Sequence, residues 1–119
     1  MIIYLLLIIA PHLQTSDTIC MNSFNEKAWK TDSIGCQGKR SLLAKVLTFN
    51  KEKIIGHTQK DLEYLLGKPN SMDNHYTFYL IEKGPQCLYP MKNQDEPECK
   101  KLMIQYENCK VKNVSIILP

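Results

Sequence analysis

The stretch GHTQKDLEYLLGKP, residues 56–69, constrains the fold more than any other part of the chain, because its own residues mark both ends of a helix. Thr58 is placed to accept from the free amides of the first turn. Asp61, three residues on, completes a capping box and suits the positive end of the helix dipole. Leu62, Leu65 and Leu66 fall on one face, and Gly56 precedes the cap. Gly67 supplies a left-handed residue after the last turn, and Pro69 blocks any continuation. Such a cap contributes about 0.5–2 kcal/mol. So short a helix does not persist alone in water, so its leucine face must dock on a larger surface. The motif reads as scaffold, with no catalytic group inside it.

That larger surface is legible as a sheet. SLLAKVLTFN (41–50) reads as an earlier helix capped by Ser41, with Leu42, Leu43, Val46 and Leu47 on its apolar face and Lys45 opposite. Beyond Pro69 and the turn-rich NSMDN the period changes. HYTFYLIE (75–82) alternates Tyr76, Phe78 and Leu80 with Thr77, Tyr79 and Ile81, which is strand chemistry. KLMIQYE alternates Leu102, Ile104 and Tyr106 with Met103, Gln105 and Glu107. Asn108-Cys109 falls at a hairpin turn, and KVKNVSIIL (110–118) follows with Val114, Ile116 and Leu118 in phase. The expected fold is α+β, two short helices packed on a three-stranded antiparallel meander over residues 41–119. An N-terminal arm at 20–40, either extended or a short helical turn and pinned by Phe24 and Trp29, precedes it.

A length of 119 residues fits one domain with a modest core. The apolar run MIIYLLLIIA suits the hydrophobic region of a signal peptide and falls short of the roughly 20 residues a bilayer span needs. Residues 1–19 are therefore expected to direct export to the periplasm or the periphery of an outer membrane, and Cys20 is a lipid-attachment candidate, although its flanks lack the Leu and small residues of such sites. The other cysteines are Cys36, Cys87, Cys99 and Cys109, and no two of the five make a C-x-x-C pair. Thioredoxin-like chemistry and a zinc ribbon need that spacing. An exported chain of this size favours at least one disulfide. A Cys36–Cys87 bridge would contribute roughly 4 kcal/mol and a Cys87–Cys99 bridge roughly 3. The residues alone leave both open.

The charge is mildly basic, 15 Lys+Arg against 12 Asp+Glu, a net +3. Removing the first 19 residues, whose only charge is Asp17, leaves 15 basic and 11 acidic residues, a net +4. The lysines are scattered along the sequence, which argues against nucleic acid and leaves weak contact with anionic lipid as an expectation. His57 and His75 sit at element ends with no Cys, Ser or carboxylate at triad or ligand spacing. Asp95, Glu96 and Glu98 lack the spacing of a calcium loop, and Cys109 has only Lys110 and Lys112 nearby to activate it. Asn113-Val114-Ser115 matches a glycosylation pattern but falls within a strand. No catalytic residue, metal, cofactor or small-molecule substrate is expected. Trp29 and an outward Tyr79 are the partner-contact candidates, since exposed aromatics on a small domain mark binding surfaces.

The order of elements, with Gly56, Thr58, Leu65, Leu66, Gly67 and Pro69, the strand pair Tyr79-Leu80 and the hairpin YENCKVKNVSI, resembles the SmpA/OmlA (BamE-like) family of small bacterial envelope lipoproteins over about residues 41–118. The upstream FNEKAW and DSIGCQGKR are similar to small exported proteins of Bacteroidota type, in which a Gly-Cys and a later Gly-Pro-Gln-Cys recur. That resemblance implies a Cys36–Cys87 bridge. It also implies a non-enzymatic envelope accessory module that binds protein partners, in the setting of outer-membrane protein assembly or envelope integrity. The alternative is a secreted protein of the β-lactamase-inhibitor kind, which shares the architecture and would enter an enzyme cleft with the 84–99 loop, through Tyr89 and Met91.

Overall fold

Ile19, Met21, residues 23–88 and residues 97–119 are described by the structure, a computed structural model. Residues 1–18 of the signal expected at 1–19 and the candidates Cys20, Tyr89, Met91, Asp95 and Glu96 lie outside the described residues. Among the described residues the chain is α+β. Helix α1 spans Glu26–Thr31, α2 Lys39–Phe49 and α3 Gln59–Leu66; strand β1 spans Ser71–Met72, β2 Tyr76–Leu80, β3 Lys101–Glu107 and β4 Lys110–Ile117. Short 3-10 turns follow α2 at Lys51–Lys53 and β2 at Pro85–Cys87.

The sheet is an antiparallel meander in sequence order, with four strands where three were expected. The added edge is β1, in which Ser71 pairs with Phe78 and Met72 with Thr77. A two-residue strand shows no alternation, so the turn formers of NSMDN concealed it. At the other end Asn108 and Cys109 have φ of 53° and 64°, the two left-handed residues that a tight two-residue hairpin of the primed type requires. A bulge changes the phase of β4: Tyr106 faces Val111, but Gln105 faces Asn113. The extra residue lets Val111 and Val114 both reach the core side. Leu118, expected in phase with them, lies past the strand and is 71% exposed.

The core forms where the helices meet one face of this sheet. Tyr79, Ile81, Leu102, Ile104, Tyr106 and Val114 pack with Trp29, Leu47, Leu62 and Leu66. Within the segment 20–40 the short helical form is the one adopted, pinned by Trp29. Asn25 caps α1 by accepting from the Ala28 amide at 3.0 Å, and α1 carries Trp29 to the centre of the core, where it is fully buried. The Trp29 indole donates to the Leu66 carbonyl at the end of α3 over 2.9 Å. The sequence places α1 and α3 far apart; Trp29 joins them, together with Lys30, whose Nζ donates to the Tyr64 carbonyl at 2.8 Å.

Two helices with leucine-rich sequences form for different reasons. In α3 the Thr58 hydroxyl accepts from the Asp61 amide at 3.1 Å, and the Asp61 carboxylate accepts from the Thr58 amide at 3.2 Å. Leu62, Leu65 and Leu66 are buried. Gly67 has a positive φ of 77° but a ψ of −171°, so it turns the chain into extended backbone and is not the left-handed helical residue expected. Helix α2 departs further from expectation. It begins at Lys39, after Gly38 at φ 78°, and not at Ser41. Asp32 stands in for the cap, accepting from the amides of Gln37, Lys39 and Arg40 at 2.8, 3.0 and 3.1 Å. The buried face is Arg40, Ala44 and Leu47, and Leu42 points to solvent.

Candidate functional site

Arg40 is the reason α2 is rotated from its expected setting. Its guanidinium lies 4.5 Å from the Trp29 ring centre and 5.7 Å from that of Tyr79. Nε donates to the Trp29 carbonyl at 2.9 Å, and Nη1 to Ser33 O and Asn70 Oδ1, each at 3.2 Å. Burial pushes the Arg40 pKa down to about 10 against the opposing pull of Asp32, so the group stays charged near neutral pH. A buried guanidinium with carbonyl acceptors and aromatic faces is a satisfied charge. It has no access to a substrate and organises the core.

The contact candidates Trp29 and Tyr79 belong to this buried cluster. Tyr79 is fully buried, its ring edge-on to Trp29 at 5.7 Å, and its hydroxyl donates to the Gly67 carbonyl at 2.8 Å. Both side chains are fully buried. Trp29 sits in a polar segment and Tyr79 on a strand with large side chains on both faces, so both read as surface aromatics, but each has a polar atom that finds a backbone carbonyl. Tyr79 is further held by burial, which raises its hydroxyl pKa above the ordinary value.

The residues considered for chemistry do not converge. His57 Nδ1 lies 3.4 Å from Asp61 Oδ2, inside the α3 cap. His75 uses its carbonyl to accept from the Tyr106 amide at 2.7 Å. Among the described residues no group of three His, Cys, Asp or Glu could hold a metal ion. Glu98 is exposed, and Asn113 lies within β4 opposite Gln105. Cys36 and Cys87 are joined in a disulfide with Cα atoms 5.7 Å apart, while Cys99 is a buried thiol and Cys109 an exposed one at the hairpin tip. Burial raises the Cys99 pKa, which suppresses its thiolate. The disulfide region is clamped by Gln86, whose side-chain amide donates to Ile34 O at 3.0 Å and Glu82 O at 2.9 Å. Gly35 backs onto β2 so closely that a Cβ there would lie 2.7 Å from the Leu80 carbonyl oxygen.

Among the described residues, two surface areas group apolar side chains on one sheet face or one helix side, apart from the singly exposed Tyr64 and Met72. On the outer face of the sheet the register aligns Tyr76, Gln105 and Asn113 in one row and Phe78, Met103 and Ser115 in the next. All six are half-buried, none belongs to the core cluster, and the Tyr76 and Phe78 rings stack at 6.3 Å. The second area is the solvent side of α2, where Leu42 is 67% and Phe49 87% exposed. Sequence reasoning missed it by assigning Leu42 to the core face. The signal was present, since Leu42 and Phe49 are seven residues apart with Lys45 between them and therefore share a side of the helix. Among the described residues no helix is long and apolar enough to cross a membrane. No family model, curated protein or solved structure matches this chain.

Proposed function

We propose that the chain is an exported, non-enzymatic accessory module of the cell envelope that works by holding a protein partner. The observation that carries this reading is the outer face of the sheet, where Tyr76, Phe78 and Met103 stand half-exposed on a rigid scaffold and contribute nothing to the core. A disulfide that staples the α1–α2 connection to the β2–β3 connection suits an oxidising compartment. The setting we favour is outer-membrane protein assembly or envelope integrity, on a variant of the BamE-like architecture that adds α1 before the first expected helix and β1 at the sheet edge.

The test is photocrosslinking in the native host with p-benzoylphenylalanine in place of Phe78, followed by mass spectrometry of the adducts. Adducts to outer-membrane barrels or their assembly components support the reading. Capture of one soluble enzyme, with envelope machinery absent, replaces it with the inhibitor alternative, and inhibition of that enzyme by the purified protein then decides.

A further inference from the structure

The solvent side of α2 carries a feature that packing does not explain. At 3.6 residues per turn, Leu42, Lys45 and Phe49 lie within roughly 60° of arc, on the side of the helix opposite Arg40, Ala44 and Leu47. A helix lying on a sheet ordinarily turns its polar residues outward. Here the crest itself holds a leucine and a phenylalanine, with one cation between them, and all three are exposed.

Charge supplies the second observation. Between Lys39 and Lys53 the exposed charged residues are Lys39, Lys45, Lys51, Lys53 and Glu52, a local excess of +3. The chain as a whole carries the same +3. Without residues 1–19 the net is +4, so the remaining charges, the buried Arg40 among them, sum to only +1. Among the described residues none of these four lysines makes an ion pair, whereas Lys30, Lys100 and Lys112 do. The surplus is local: Lys39 and Lys45 lie on α2, which also exposes Leu42 and Phe49, and Lys51 and Lys53 lie in the 3-10 turn that directly follows it.

We infer that the crest of α2 docks an acidic surface of a partner protein, with Leu42 and Phe49 entering two apolar pockets and Lys45 meeting a carboxylate between them. This rests on the protein-binding reading and adds a contact surface distinct from the outer sheet face. A second copy of the chain is a poor occupant, because like charges would face each other across a two-fold axis. A bilayer is also a poor fit, since an interfacial helix keeps its cations to the polar flank and Lys45 stands on the crest. The crest from Leu42 to Phe49 is about 10 Å long, which limits it to one part of an interface or a transient contact.

The experiment places p-benzoylphenylalanine at position 49 of the full chain in its native host and sequences the crosslinked peptides. The expected adduct is a protein segment with more Asp and Glu than Lys and Arg, whose yield falls roughly tenfold when Lys45→Glu, Lys51→Glu and Lys53→Glu are combined. The yield at position 78 and the emission of Trp29 should not change, which shows that the fold is intact. A lipid adduct, a neutral or basic peptide, a yield indifferent to charge reversal, or silence at position 49 would each overturn the inference. Silence at 49 with protein captured at 78 removes only this surface; silence at both removes the protein-binding reading as well.

Discussion

Helices α2 and α3 lie on the same core and carry similar leucine content, yet one follows local rules and the other does not. In α3 Thr58 and Asp61 close the first turn, three leucines define the inner face and Gly67 ends the helix. In α2 the cap is an aspartate seven residues before the first helical residue, and the inner face includes an arginine. The difference shows where each helix keeps its instructions. Those of α3 lie within it, whereas those of α2 come from Asp32, Trp29 and Tyr79, which only the folded chain brings together.

The contrast can be broken from either side. The largest effect is expected from Asp32→Ala, which uncovers three amides and removes the anion nearest the buried Arg40 guanidinium; a loss of about 3–5 kcal/mol in urea unfolding follows. Next is the pair Leu47→Ala and Leu42→Ala, the first costing about 2–5 kcal/mol by opening the core and the second less than about 0.5 as an exposed change. Equal losses would mean that α2 is not rotated as described. Thr58→Ala should cost about 1 kcal/mol through the lost cap, with helical content falling in circular dichroism.

The smallest effect is a pH dependence. Slight burial works to raise the Asp61 carboxyl, but hydrogen bonds from Thr58 and the neighbouring His57 outweigh it and hold the pKa below the ordinary 3.8. A folded pKa below the unfolded one means that the unfolded chain binds the proton more readily. The Asp61 contribution is thus complete above the ordinary value and is lost as pH falls below it through the folded value. Unfolding followed by circular dichroism from pH 5 downward should show this slope, flattened in Asp61→Asn. An unchanged slope would place the acid sensitivity elsewhere.

How much of the molecule was legible follows the same division. Helix α3, the alternating strands β2 and β3 and the left-handed turn at Asn108-Cys109 all have causes within a few residues of themselves. What was hidden depends on distance. Helix α1 is six residues long and is held by Trp29, whose hydrogen-bond partner is Leu66. Arg40 reads as a surface cation until the aromatic faces and carbonyls around it are known. The inner phase of β2 was ambiguous because both of its faces carry large side chains, and burial of Tyr79 decides it. Of the candidate surfaces, the α2 crest was obscured by one misplaced leucine, since moving Leu42 to the core face conceals its partnership with Phe49.

The Cys36–Cys87 link encloses α2, α3, β1 and β2 in a covalent ring. A protease that cuts once between those two cysteines therefore opens the ring without dividing the molecule. The nicked protein should keep its mass apart from one added water, and it should run as two pieces only after reduction. Wherever proteases are at work, a single cut in an exposed connection such as the Lys51–Lys53 turn would leave both fragments tethered.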